Sequence, residues 1–502
     1  MVFASETFLF LFLPLFLLAY FLTPRRGKNL TILLGSYLFY AWWRIDFLGL
    51  LVATTVFTWV CGRGIAAHLG RRRGKAWLVA GLGGNLAVLG TFKYLGFFMD
   101  SLAAAFGTTP DQLGFHWQII LPIGVSFYVF QSISYLVDVW RKDAPADTGL
   151  IDFAAFIALF PQLIAGPILR FKDLADQFRD RRSTPEMVAD GFARFTIGLA
   201  KKVLLADAIA PLADLAFTTA DPASPVAWLG AVAYMLQLYF DFSGYSDMAI
   251  GLGMIMGFRF TENFNTPYVS RSITEFWRRW HISLSVWLRD YLYIPLGGNR
   301  FGTARTYFNL WIVMVLGGLW HGANWTFVIW GAWHGTWLAL ERAKIVPQGN
   351  GALSVLRTLL TVLVGWVFFR AADLDQALGV LAGMAGLNGT AIPFDIAVQI
   401  RNEALVFLAL AIMVAALEPR LKDLVRQWRA QDISSGTAAG LAGADSGTSG
   451  MASVMAPTRS ATAAASSLAS SLAGSLVLAL LFTACVLRIS EAAFTPFLYF
   501  QF

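Results

Sequence analysis

Three of the chain's five histidines, His281, His321 and His334, lie close together in its central region. Imidazole is the side chain most readily tuned to take up and release a proton near neutral pH, so such a group suits general acid–base chemistry. His321 stands in Trp320-His321-Gly322-Ala323-Asn324-Trp325 between two apolar runs. His334 stands in Gly331-Ala332-Trp333-His334-Gly335, and His281 closes Phe276-Trp277-Arg278-Arg279-Trp280-His281. A single histidine in an apolar segment is as often a structural hydrogen-bonding group as a catalytic one. Three of them, flanked by tryptophan and glycine, weigh toward a site. His68, in a basic loop, and His116, at the start of a span, have no such company.

Carboxylates are the second chemical feature. Asp241 and Asp247 fall inside the long apolar run Val226 to Phe258, where an ionised carboxylate at the bilayer centre costs at least about 2.5 kcal/mol. On a helix Gln237, Asp241 and Tyr245 share one face, which predicts local hydrogen-bond partners for Asp241. Structural satisfaction and catalysis are equally open for it. The chain lacks His-Glu-x-x-His, Cys-x-x-Cys and Gly-x-Ser-x-Gly. Gly70-Arg-Arg-Arg-Gly74-Lys75-Ala76 is one residue short of a phosphate loop and lacks its Ser or Thr. Gly251, Gly253 and Gly257 miss the dinucleotide spacing and read as helix-packing positions. Cys61 and Cys485, far apart in apolar segments, make no disulfide framework or metal cluster and read as lipid-facing or packing residues. No bound metal or cofactor is expected.

The elements that must position these groups are membrane spans. Of the 502 residues 57% are hydrophobic and 14% charged, against about 25% charged in an average soluble domain. Runs such as Phe8 to Leu22, Trp77 to Phe98 and Ser354 to Phe369 approach or reach the length that crosses about 30 Å of hydrocarbon. Phe8 to Leu22 lacks a basic n-region and a small-residue cleavage site, so it reads as a retained first span. The net charge of +7 comes in short blocks between apolar runs, which fits a topology signal and argues against nucleic acid. Placing Arg25-Arg26-Gly27-Lys28 and Arg71 to Lys75 in the cytoplasm puts the N-terminus outside and makes Leu33 to Val60 an out-and-back pair, with Met99 to Phe115 external.

Three stretches depart from simple spans. Phe153 to Ile168 lies between two basic cytoplasmic blocks, and its Pro161, Gly166 and Pro167 predict a re-entrant segment buried in protein, with a surface-lying segment as the alternative. In Arg271 to Asp290 the residues Trp277, Trp280, His281, Leu284, Trp287 and Leu288 form one helical stripe, opposite Arg278 and Arg279. That helix is expected along an interface or lining a protein-enclosed funnel. Residues 431–473 are rich in Ala, Ser, Gly and Thr and read as a flexible cytoplasmic linker. This divides the chain into a core of residues 1–430, the linker, and a C-terminal span with an external tail at 474–502.

These motifs together carry a resemblance. Phe276 to Ser285, Trp320-His321-Gly322, Gly331 to Gly335, Gln237 to Gly251, Phe160 to Arg170 and the terminal Phe-Leu-Tyr-Phe-Gln-Phe are similar to the membrane-bound O-acyltransferase family, and more narrowly to its bacterial alginate O-acetyltransferase branch. The likeness spans the chain except 431–473. It implies an all-α polytopic transmembrane bundle of about 11 to 13 membrane segments, re-entrant ones included, enclosing a funnel with a histidine at its floor. By motif His321 matches the family's catalytic histidine and His281 its second polar site residue. His334 belongs to a branch motif.

The resemblance further implies acetyl transfer from a cytoplasmic donor, acetyl-CoA, in the bacterial inner membrane, with both termini periplasmic. Implied partners are periplasmic serine-hydrolase-like O-acetyltransferases and the machinery that makes and exports a polysaccharide, alginate foremost, with cellulose or another exopolysaccharide as alternatives. His321 would be the general base, His281 or Asn324 would orient it or stabilise the oxyanion, and Trp320, Asp241, Tyr245, Arg278 and Arg279 would support the site. Two other classes stay in view: a proton-coupled transporter using Asp241, Asp247 and Lys93, and a non-catalytic export scaffold.

Overall fold

A hydrocarbon solvent leaves every backbone amide to be satisfied within the chain, and helices do this segment by segment. A computed structural model describes residues 1–116, 119–145, 147–347, 349–440, 472–491 and Leu498, and every regular element among them is helical. Labelled in chain order, the first four helices are α1 (Thr7–Leu22), α2 (Lys28–Ala41), α3 (Ile45–Ala67) and α4 (Arg72–Ala105). They are followed by α5 (Val125–Arg141), α6 (Leu150–Ala158), α7 (Pro185–Ala200), α8 (Asp207–Thr218) and α9 (Ser224–Ile255). The site region brings α10 (Ile273–Arg279), α11 (Ile282–Leu288), α12 (Thr303–His321) and α13 (Trp325–Arg342). The chain ends with α14 (Ala352–Arg370), α15 (Asn402–Gly440) and α16 (Leu472–Glu491). Long, apolar segments able to cross a membrane lie in α3, α4, α14, α15 and α16.

The predicted out-and-back pair is α2 and α3, reversed at Trp42 to Arg44. The helix from Arg72 runs on to Ala105, so the first part of the loop expected from Met99 is helical. The segment from Phe153 to Leu169 is buried at every residue, inside the protein and not along its surface. Its α6 ends before Pro161, whose neighbourhood forms a short turn, Phe160–Leu163, and the chain then extends to Arg170. The backbone groups freed by this irregular path find side-chain partners: the Phe160 amide donates to Ser36 Oγ (3.2 Å) and the Ile168 amide to Ser283 Oγ (2.9 Å).

At the centre stands α9, whose 32 residues span about 48 Å. Its glycines let α7 approach closely: a Cβ on Gly244 would lie 2.7 Å from the Gly198 carbonyl oxygen, and one on Gly251 2.6 Å from that of Gly191. The helix-packing reading of Gly251 therefore holds. Buried charges are expensive unless paired, and those of α9 are paired. Asp247 accepts from Arg194 (2.9 Å) and Lys201 (2.8 Å), while Arg194 also meets Glu262 (2.5 Å). Asp241 bonds Lys202 (2.7 Å) and the Leu498 backbone amide (3.0 Å). Its partners are thus a lysine of the turn after α7 and a residue far along the chain, in place of the Gln237 and Tyr245 expected on its own helix face.

Two further expectations change. The Trp277 to Leu288 stripe is buried, but it belongs to two short helices broken at Trp280 and His281. The stretch expected as a linker from 431 is helical through Gly440, and 441–471 lie outside the described residues. Both cysteines are fully buried, which makes them packing residues and not lipid-facing ones.

Candidate active site

His321 is the last residue of α12. The hairpin α12–α13 is tight, for a Cβ on Gly318 would lie 2.1 Å from the Phe327 carbonyl oxygen. Asn324 opens the second helix by accepting from the Thr326 amide (3.1 Å), and its Nδ2 donates to the Ala372 carbonyl (2.7 Å). Both ends of the amide expected to orient the base or meet an oxyanion are thus engaged in capping and in tying the hairpin to the segment after α14.

A helix end leaves carbonyls without partners and carries partial negative charge. At the end of α12 these are taken by a π-turn inside α4, Gly90–Tyr94. Tyr94 donates its hydroxyl to the Leu319 carbonyl (3.0 Å). The Lys93 ammonium donates to the carbonyls of Trp320 (2.5 Å) and His321 (3.0 Å) and reaches Ser126 Oγ at 3.4 Å. Lys93, noted in the sequence only as an intramembrane charge, is therefore the cation that caps the His321 helix. A lone lysine in an apolar run is itself a signal of function; its partners, in a helix far along the chain, were not visible.

The His321 ring is walled by Trp320, Trp330 and Phe369, with ring centres 4.9, 5.1 and 5.1 Å away. It lines a cavity of about 660 Å³, together with Met1, Tyr40, Trp42, Trp43, Lys93, Ser126, Phe127 and Trp320. With only 5% of its surface exposed, the imidazole is reached through this space and not from open surface. The cavity is lined mainly by apolar and aromatic side chains, with a few hydroxyls, as ligand cavities commonly are.

His281 comes within 6.1 Å of His321, ring centre to ring centre. It sits at the break between α10 and α11 with φ 43° and ψ 54°, a left-handed conformation that costs a non-glycine residue about 1–2 kcal/mol. Neighbouring backbone bonds hold it there, Asn265 N–H to Arg279 O (2.8 Å) and Ile282 N–H to Asn263 O (2.9 Å). Strain of this kind concentrates at functional sites. His281 Nδ1 bonds Asn263 Oδ1 (3.2 Å), and the ring is fully buried against Phe242. Nothing in the sequence marked Asn263, one polar residue in a polar stretch.

The other candidates are less central. His334 is buried among Phe276, Trp277, Trp330 and Trp366, and Trp330 stands between it and His321, 5.1 Å from each. Tyr245 stacks on Phe3, and Asp241 belongs to the Lys202 pair. Arg279 pairs with Glu275 (2.8 Å), as their spacing predicts, and Arg278 is exposed. Among the described residues no three His, Cys, Asp or Glu side chains are grouped to hold a metal ion.

The described residues thus form an all-α bundle with membrane-length apolar helices that holds a buried histidine pair at the edge of a cavity, a polytopic membrane protein with a candidate active site. Comparison with known sequences makes the class specific: the chain belongs to the membrane-bound O-acyltransferase family, whose profile matches residues 6–345. Over the full length of both proteins it is 52% identical to a probable alginate O-acetylase of Azotobacter vinelandii and 50% identical to one of Pseudomonas aeruginosa. It is also 39% identical to a peptidoglycan O-acetyltransferase of Helicobacter pylori, over 78% of this chain and 81% of that one.

Proposed function

We propose that this protein O-acetylates alginate, by taking acetyl from cytoplasmic acetyl-CoA and passing it across the bacterial inner membrane. The observation that carries this is His321 on the wall of a cavity of about 660 Å³, 6.1 Å from a second histidine. The names and full-length likeness of its alginate O-acetylase relatives support the choice of polysaccharide. Reading the basic blocks as cytoplasmic turns the cavity, with Met1 and Trp42 on its walls, toward the periplasm. Both termini then lie on that side, and the acceptor hydroxyl enters there, presented by a serine-hydrolase-like partner that completes transfer to the polymer.

In the reaction, His321 takes the acceptor's hydroxyl proton as its oxygen forms a bond to the thioester carbonyl carbon. The carbon–sulfur bond breaks as the tetrahedral species collapses, and the proton passes from His321 to the leaving thiolate. General-base catalysis of this kind contributes about 10² to 10⁴ in rate. The site's supporting walls are Trp320 and Trp330. Asp241, with Lys202, is structural in this reading, as are Asn324 at its cap and Lys93 at the helix end. A transporter built on Asp241, Asp247 and Lys93 would need those charges free to exchange partners.

The test is mass spectrometry of secreted polysaccharide from a strain lacking the gene, complemented by wild type or His321→Ala. Loss of acetyl esters with the variant, at wild-type abundance in the membrane, is the expected result. Retained acetylation would remove the catalytic role and favour a scaffold.

A further inference from the structure

The histidine beside His321 has a readable protonation pattern. Asn263 is buried, and its Oδ1 accepts from the Ser283 amide (3.2 Å) and Ser283 Oγ (2.8 Å), while its Nδ2 donates to Ser246 Oγ (3.1 Å). A backbone N–H can only donate, so the atom facing it must be the amide oxygen, and a flipped side chain would set donor against donor. That oxygen also lies 3.2 Å from His281 Nδ1, which must therefore carry the hydrogen. In the neutral ring the other nitrogen is then a bare lone pair. His281 Nε2 is buried and has no hydrogen-bond partner among the described residues. An open acceptor is costly to bury, and its place next to a catalytic base gives it a use.

We infer that Asn263 is a positioning residue, which fixes His281 as the Nδ1–H tautomer so that His281 offers the acyl-transfer site a lone pair and not an N–H. This rests on His281 belonging to the proposed site. It decides between the two duties open to His281: the ring accepts a hydrogen bond from a donor on the His321 side, orienting that donor, and it does not donate to the oxyanion. Proton balance is unaffected, because His321 takes the hydroxyl proton and returns it to the thiolate while His281 gains and loses none. Ser246 anchors Asn263 from α9, beside the Asp247 ion pairs, so the tautomer is set by the rigid centre of the bundle.

The test is acetyl transfer by the full-length protein in membranes, with rates referred to its abundance there. The variants are Asn263→Leu, Asn263→Asp, His281→Gly, which suits the left-handed backbone, and the double variant Asn263→Leu/His281→Gly. Asn263→Leu is expected to lower kcat by about 10- to 100-fold, the usual scale for an outer partner of a site histidine, with little change in KM. Asn263→Asp, whose carboxylate accepts from the same three donors, is expected to keep at least about a third of the rate. In the His281→Gly background Asn263→Leu should cost nothing further, because its effect runs through the missing ring.

Full activity of Asn263→Leu, or losses that multiply in the double variant, would overturn the inference while His281→Gly still reported a working site. Wild-type activity of His281→Gly would instead sink the site assignment itself. If Asn263→Leu does not accumulate, Asn263→Asp decides alone: an inactive but normally abundant Asn263→Asp overturns the tautomer role.

Discussion

Lys93 shows how one side chain can hold the His321 end of a helix in place. Its ammonium has three hydrogens and meets three acceptors, the Trp320 and His321 carbonyls and Ser126 Oγ. The charge also complements the negative end of α12. Lys93→Met keeps most of the length of the side chain and removes every donor, leaving two carbonyls buried without their cation. A loss of about 1–3 kcal/mol in stability is expected, the usual penalty for such groups, and it would be read from thermal unfolding of the purified protein. Because the His321 backbone is released, acetyl transfer per folded molecule should fall as well. A variant that is destabilised yet turns over at the wild-type rate would show that this cap does not control the geometry of His321.

At the scale of elements, packing between α7 and α9 depends on glycines that bring two backbones together. Gly251→Ala would drive a methyl group to 2.6 Å from the Gly191 carbonyl oxygen, so the helices must separate. The expected cost is about 1–3 kcal/mol, as for other overpacked sites. Gly83→Ala, in α4, meets nothing within 4 Å and serves as the control; it should be neutral or slightly stabilising through helix propensity. Thermal unfolding of the two variants side by side checks the pair, and equal stabilities would refute the contact. The same elements mark what sequence can and cannot convey. Pro161, Gly166 and Pro167 announced a buried irregular segment because their backbone chemistry is local. The break at His281 was hidden because it is imposed by the Asn263 segment pairing across it, and periodicity alone sees one continuous stripe. For Asp241 the helix-face pattern pointed to local partners, whereas the partner groups come from another helix and from Leu498.

For the whole molecule, composition and basic blocks made a multi-span membrane protein legible, and the family resemblance carried by the Trp-His motifs made its all-helical fold and the neighbourhood of His321 legible. Distances between residues remote in sequence were not, since neither Lys93 nor Asn263 lies in a motif. Orientation is a property of this largest scale and has its own test. Single cysteines introduced into Arg71 to Lys75 should be labelled by an impermeant thiol reagent only after the inner membrane is opened. One at Trp42, beside the cavity, should be labelled in intact spheroplasts, with Cys61 and Cys485 silent because they are buried. The reverse pattern would turn the cavity to the cytoplasm and with it the proposed direction of acetyl flow.

The bond from Lys93 to the Trp320 carbonyl joins residues 227 positions apart. A ribosome therefore delivers the lysine to the membrane long before the carbonyls it will cap exist, and in that interval its charge can be met only by water or headgroups at the bilayer surface. The lysine gains these carbonyl partners only when the His321 hairpin arrives. Assembly of the proposed site is thereby tied to a late event in synthesis.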